Sequence, residues 1–445
     1  MGKISTNIVF NTVYLYTVDE YVVSFIKICE YNMIDIMAKK ILILTVVAGG
    51  GHNSAAKSVT TRIQESNPDA EVLVVDMLKT YSIKDFYILK YGYSTMIGKL
   101  PWFYALGYWL SNHGLFKNFY ATAPLRTARK IAPKLYKMIN EIKPDVIYCT
   151  HFYPAMAISL LRQAYQVPPV VIASSLDYAV EPFFDKARNI DYITIANEEF
   201  IAGRLHSGYS LEQIQITGIP TQDKFYSKPN KLKIRKELEL DPDKFTVLIM
   251  FGGGEWAGTY KIYKELIKAY KKDLQVIVIN GNNKKTFNKI NKLKTPENIK
   301  LLNVGYTTEV EKYMGASDIA LTKAGGLSTT EMVNIGLPML ISTKVYGQEE
   351  RNMDFMVAHG VALSFKNTRD LAEKIDIAME LKDLFISKFP LIRKRGADNI
   401  ANLILNQPDP VYDDEYIASL DYKKMKKHMQ ILLDETIHIT SKKIV

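Results

Sequence analysis

The chain has 445 residues, enough for two or three domains. At 47% hydrophobic and 23% charged residues it is an ordinary globular composition, which excludes a wholly disordered, collagen-like or coiled-coil protein. Two cysteines, Cys29 and Cys149, exclude a disulfide framework and a multi-cysteine zinc site and point to a reducing, cytosolic setting, while 57 Lys/Arg against 47 Asp/Glu leave a net charge of +10 that favours anionic partners.

Residues 1–36 lack a basic n-region and a small-residue cleavage site, so they make a poor signal peptide. Asp19, Glu20, Glu30 and Asp35 argue against a transit peptide. Met37 is followed by Ala38, Lys39 and Lys40 and then an apolar run, Ile41–Val47, which reads as the natural start of an α/β domain. Residues 1–36 are expected to be an extension of uncertain status, without an assigned function.

From there strands and helices alternate. Apolar runs at Ile41–Val47, Val72–Val75, Val146–Cys149, Val170–Ala173, Tyr192–Ile195 and Ile214–Thr217 read as strands, with amphipathic helices such as Asn53–Glu65, Thr127–Glu141 and Tyr153–Tyr165 between them. Short continuous apolar runs separated by helices predict buried parallel strands in a doubly wound sheet. Gly218–Lys233 is polar and contains Pro220 and Pro229, and reads as a linker. The alternation restarts at Phe245–Met250 and continues through Leu274–Ile279, Ile299–Leu302, Ile319–Leu321, Met339–Ile341 and Val361–Leu363. The expected architecture is two Rossmann-like α/β domains, 37–219 and 220–406, facing a cleft. A helical tail, 407–445, carries an acidic patch and then a basic helix near Lys423–Leu433.

The charge is unevenly placed. Between Lys79 and Lys137 there are ten Lys/Arg and one acid, Asp85, so this stretch alone carries +9. It also holds thirteen aromatic residues, from Tyr81 to Tyr120, including Tyr87, Trp102 and Trp109. Cations among Trp and Tyr suit an anionic membrane interface, although a solvated helical region with an aromatic core has the same composition. No RNA-binding signature accompanies the stretch, so no nucleic acid partner is expected. The uncharged run Leu100–Phe116 is too short and too polar to span a bilayer, so membrane contact should be peripheral.

Four loops follow strands. Ala48, Gly49, Gly50, Gly51 and His52 lie between a strand and a helix, where glycine N–H groups and the helix N-terminus favour an anion. The spacing is neither a Walker A loop nor GxGxxG. His52, at the carboxyl edge of the first strand, is a candidate general base. Gly252, Gly253 and Gly254 repeat that pattern in the second half. Val304, Gly305 and Tyr306 form a Gly-aromatic loop that suits a planar base or an ordinary turn. Lys323, Gly325, Gly326, Leu327, Ser328 and Glu331 precede a helix. Ser328 and Glu331 have capping-box spacing, whereas the two glycines suit phosphate and Glu331 also suits ribose hydroxyls. Gln348, Glu349 and Asn352 start the next helix with groups suited to sugar hydroxyls.

These residues carry a resemblance. The runs TKAGGLSTTEMVNIGLPMLI and GQEERN resemble the nucleotide-sugar signature of inverting glycosyltransferases of the two-domain GT-B type. AGGGHNSAA, CTHFYPA, LDYAVEPFF and TGIPTQDKF resemble the glycolipid-synthesising branch that contains monogalactosyldiacylglycerol synthase and processive diacylglycerol glucosyltransferases. The resemblance covers about residues 38–405. It implies that Gly325, Gly326 and Gly252–Gly254 hold the diphosphate, Val304 and Tyr306 flank uracil, Glu331 binds ribose, and Gln348 and Glu349 read the sugar with Asn352 nearby. On the acceptor side it implies His52 as base, with Gly50, Gly51, His151 and Tyr178 near it. Branch members usually have Thr before Asp-Tyr, where this chain has Leu176, and a polar residue before GGGH, where it has Ala48. Asp177 is therefore the alternative base, the base-orienting group, or a strand-end turn residue.

The expected activity is hexose transfer with inversion from a UDP-sugar to a lipid hydroxyl, diacylglycerol, on the cytoplasmic face of the cell membrane. No metal is expected, because no Asp-x-Asp motif falls on a suitable loop; backbone N–H groups and a helix dipole would receive the leaving UDP. A UDP-sugar 2-epimerase, a lipid-linked peptidoglycan-precursor glycosyltransferase and a nucleotide-sugar-sensing regulator remain alternatives.

Overall fold

The computed structural model describes residues 38–46, 50–81, 87, 116–227, 229–252, 258–343, 347–367 and 370–442. The first sheet contains β1 (Lys40–Thr45), β2 (Glu71–Asp76), β3 (Val146–Cys149), β4 (Val170–Ser174), β5 (Tyr192–Ile195) and β6 (Ile214–Ile216). The second contains β7 (Thr246–Met250), β8 (Leu274–Ile279), β9 (Ile299–Val304), β10 (Ile319–Thr322), β11 (Met339–Ser342) and β12 (Ala362–Phe365). Every pairing in both sheets is parallel. Helices cover both faces of the central strands, which is why β1, β3 and β7 read as unbroken apolar runs.

The strand orders are β2-β1-β3-β4-β5-β6 and β12-β11-β10-β7-β8-β9. In each sheet the order reverses beside the first strand, at β1/β3 and at β7/β10. The connections diverge there and leave a crevice outside the carboxyl ends, where α/β ligand sites form. The helices that matter for the site are α1 (Gly51–Ser66), α2 (Phe116–Ile142), α3 (Phe152–Leu161), α4 (Gly326–Ile335), α5 (Gln348–Ala358), α6 (Gly396–Leu405) and α7 (Tyr422–Lys442). The loop after β1 feeds α1, and the loop after β10 feeds α4.

Three expectations change. The Gly218–Lys233 segment is not a solvated linker: Ile219, Thr221 and Phe225 are buried, and Asn334 Nδ2 donates to Thr221 Oγ1 at 2.9 Å. The chain also leaves the second sheet before residue 406. Ile400, Ala401 and Ile404 of α6 pack with Ile41, Ile43, Val59 and Ile63 of the first domain. The tail helix α7 likewise inserts Met425, Met429, Leu432 and Leu433 into the first domain's core. An amphipathic helix joins whichever core its apolar stripe can reach, and sequence position does not decide which one. The two crossings between domains lie side by side: a Cβ on Gly396 would stand 2.5 Å from the Ile219 main chain, and Asn399 Nδ2 donates to Thr217 O at 2.9 Å.

Candidate active site

His52 enters the first turn of α1, capped by Gly50. Its Nδ1 lies 2.6 Å from the Thr150 carbonyl at the end of β3. A carbonyl only accepts, so Nδ1 carries the proton and the Nε2 lone pair is free. Burial lowers the pKa of His52 from its ordinary 6.5, partly opposed by the Thr150 bond and by the negative field of Asp177. A relay fixes the helix start against the strands: Thr150 Oγ1 donates to Thr45 Oγ1 at 3.0 Å, and Thr45 Oγ1 donates to Asn53 Oδ1 at 3.0 Å. The His151 ring sits edge-on to His52 with centroids 4.5 Å apart. Its Nδ1 accepts from the Tyr153 N–H as the cap of α3, and burial first, then His52, push its pKa well down. His151 is thus a neutral packing and capping residue beside the base. Among the described residues no atom lies within 4 Å of a Cβ placed on Gly50 or Gly51.

On the opposite sheet, Gly252 takes φ +82°, which favours glycine, and a Cβ there would lie 3.6 Å from Lys323 Cε. Lys323, just after β10, is paired with Glu349 on α5. Gly253 and Gly254 lie outside the described residues. Val304 ends β9, two residues beyond the expected strand end, and its carbonyl accepts from the Asn280 main-chain N–H. Gly305 has open space above it, and the Tyr306 ring is 68% exposed at the same edge. Glu331 is partly buried on α4 without a hydrogen-bond partner among the described residues. Burial pushes its carboxyl up to about 8, opposed by Lys224 and aided by Glu311.

The expected capping box does not form. Gly325 is the N-cap, Ser328 lies inside the first turn, and the start of α4 has no side-chain cap. Leu327 is buried in the core. The main-chain N–H groups at this helix start are therefore not consumed by a capping side chain.

The domains meet at the loop after β4. Asn352, fully buried on α5, accepts from the Tyr178 N–H at 2.6 Å and donates to Asp177 Oδ1 at 2.7 Å and to Ala324 O at 2.9 Å. Its amide is committed to clamping the domains and does not face a sugar in this arrangement. Tyr178 is also a clamp and not an acceptor surface. It is buried, lies 3.0 Å from Thr330 Oγ1 through its hydroxyl, and stacks on Phe355 with centroids 4.7 Å apart. Gly326 is held tightly: a Cβ there would stand 2.0 Å from Leu176 O and 2.9 Å from Asp177 Oδ1. This close approach gives Gly326 a structural reason apart from phosphate. Gln348 Nε2 reaches Glu181 Oε1 at 3.4 Å, and Arg351 donates to Val180 O at 3.1 Å. Glu181 and the buried Arg204 below it were not singled out from sequence. A lone acid before Pro182 carries no periodic or spacing signal.

Among the described residues no group of three His, Cys, Asp or Glu could hold a metal ion, and no helix is long and apolar enough to cross a membrane. Of the basic aromatic stretch, residues 82–86 and 88–115 lie outside the described residues. Tyr81 packs against Met138 and Tyr87 is exposed.

Two doubly wound domains with their switch points turned to a common joint define a GT-B-type glycosyltransferase fold. The MurG crystal structure from Acinetobacter baumannii has this fold at a TM-score of 0.51 and 13% identity, covering 82% of this chain and 99% of that one. Residues 52–221 match the family model "Monogalactosyldiacylglycerol (MGDG) synthase", and residues 230–388 match "Glycosyl transferases group 1". A probable chloroplastic monogalactosyldiacylglycerol synthase of Glycine max is 29% identical over 352 residues, 75% of this chain and 64% of that protein. The chain thus spans less than two thirds of that relative's length. A processive diacylglycerol beta-glucosyltransferase of Bacillus subtilis is 26% identical over 414 residues, 88% of this chain and 99% of that protein. The two halves of the chain are thus similar to glycosyltransferase families, and the chain as a whole is similar to monogalactosyldiacylglycerol synthases and processive diacylglycerol glucosyltransferases.

Proposed function

We propose that the protein transfers a hexose from a UDP-sugar to the hydroxyl of diacylglycerol, with inversion, while docked on the cytoplasmic face of an anionic membrane. The observation that carries this reading is the His52 tautomer. Its Nδ1 proton is spent on Thr150, so Nε2 can take a proton from an attacking hydroxyl beside the opposing sheet. Asp177 acts as the group that favours the imidazolium as it forms, since it already raises the His52 pKa and its own Oδ1 is engaged by Asn352. The uncapped start of α4 with Gly325, the Gly252 turn and Lys323 would receive the diphosphate. Tyr306 would cover the base, Glu331 would accept the ribose hydroxyls, and Gln348 and Glu349 would face the sugar. The basic stretch around Lys79–Lys137 would bring the first domain to the lipid. The monogalactosyldiacylglycerol synthase match and both relatives support the diacylglycerol acceptor.

The test is turnover of radiolabelled UDP-sugars with diacylglycerol vesicles, with mass analysis of the lipid product. Glycosylated diacylglycerol is expected from the wild type, and His52→Ala should lower kcat by about 10²–10⁴-fold. Undiminished lipid glycosylation by the variant would remove His52 as the base. Consumption of the UDP-sugar without a glycoside would overturn the transferase reading.

A further inference from the structure

We infer that Asn280 is a positioning residue for the nucleobase end of the donor, acting through a ladder of asparagine side chains that fixes the loop after β9. This inference rests on the glycosyl-transfer reading, in which Tyr306 covers the base.

Asn280 follows β8 at the carboxyl edge of the second sheet and is 4% exposed. Its main-chain N–H and its Nδ2 both donate to the Val304 carbonyl, at 2.9 and 3.0 Å. Nδ2 also donates to Asn303 Oδ1 at 2.7 Å. Asn303 Nδ2 in turn donates to Phe287 O at 3.1 Å and to Asn291 Oδ1 at 2.7 Å, both on the helix Lys284–Asn291. The carbonyls of Val304 and Phe287 only accept, so they set the direction of both amides. The ladder therefore runs from β8 across β9 to that helix, and flipping either amide would set acceptor against acceptor.

Two features separate Asn280 from ordinary packing. Its Oδ1 is buried and has no hydrogen-bond partner among the described residues. An orphaned acceptor out of water is unfavourable, so the contribution of this amide lies in its two donors. The second feature is the double bond to one carbonyl. Pairing of β8 with β9 gives Val304 a single main-chain partner, and the Asn280 side chain occupies its other lone pair. The peptide after Val304 is trans, so its C=O and N–H point in opposite directions. Holding the carbonyl toward β8 turns the Gly305 N–H away from β8. Gly305 and Tyr306 thus leave the sheet from a fixed plane, with the Tyr306 ring 68% exposed. Asn280 would not touch the base. It would set where Tyr306 lies over it.

The experiment is calorimetric binding of UDP, UMP and inorganic pyrophosphate to the wild type, Asn280→Ala, Asn303→Ala and the double variant. Each single variant should weaken UDP and UMP roughly tenfold, the scale of one hydrogen bond, and leave pyrophosphate unchanged. The double variant should lose little more than either single one, because both break the same ladder. Unchanged UMP affinity, equal losses for UMP and pyrophosphate, or additive losses in the double variant would overturn the inference.

Hydrogen exchange in the nucleotide-free protein separates this from failure of the transferase reading. Residues 304–308 should exchange faster in both single variants than in the wild type, with β7 and β10 unchanged. Unchanged exchange at 304–308 would overturn the ladder itself. A wild type that binds no UDP, with 304–308 still loosened in the variants, would overturn the nucleobase role through the transferase reading and leave the ladder standing.

Discussion

At the scale of single residues, two titratable side chains carry the chemistry in opposite ways. His52 is pulled below its ordinary pKa of 6.5, so at neutral pH it is a ready base. The acid limb of kcat/KM should accordingly lie below pH 6.5, where the folded protein finally protonates the ring. Asp177 raises the His52 pKa, so Asp177→Asn should move that limb further down and lower kcat. A limb that moves up would contradict the assigned role. Burial holds the Glu331 carboxyl up at about 8. Ribose hydroxyls would supply donors to its ionised form, so UDP binding at pH 7 should release a proton. Glu331→Ala should weaken UDP roughly 10–100-fold by calorimetry, the scale of hydrogen bonds to a charged group. Equal affinity would displace Glu331 from the ribose site.

At the scale of elements, glycines separate close packing from open approach. Gly326 is pressed against the Leu176 main chain of the first domain and Gly396 against the Ile219 main chain of the neighbouring crossing, whereas Gly325 has open space. Gly326→Ala and Gly396→Ala should each cost about 1–3 kcal/mol by overpacking, read from denaturant unfolding. Gly325→Ala should stay within about 0.5 kcal/mol. Equal costs at all three positions would refute this reading of the joint. The strands were legible because buried parallel strands must be continuous apolar runs, and all twelve appear within a few residues of the expected bounds. The α4 cap was not legible. Ser328 and Glu331 have the spacing of a capping box, but contact with Leu176 and Asp177 places the helix start at Gly326.

At the scale of the whole molecule, the question is where the positive charge gathers. Arg126, Lys130, Lys134 and Lys137 are exposed on α2, and Met425 and Met429 anchor α7 in the same core. Exposed Lys423, Lys424, Lys426 and Lys427 therefore join the first domain from the far end of the chain. Co-sedimentation with anionic vesicles should fall steeply as salt rises, because exposed charges are screened within about 10 Å at 0.1 M. It should also weaken when those four α7 lysines become glutamine. Binding insensitive to salt and to lipid charge would exclude an electrostatic dock.

The sequence by itself determined the two parallel sheets, the glycine loops at their carboxyl ends and His52 as the candidate base. Each is a local matter of apolar period, turn chemistry or residue type. Only the tertiary structure decided that Asn352 and Tyr178 hold the domains together, that α6 and α7 return to the first core, and that Glu181 meets Gln348. Those facts depend on contacts between residues far apart in the chain, such as Asp177 and Asn352, 175 positions apart, and no local pattern encodes which distant partner fills a buried site.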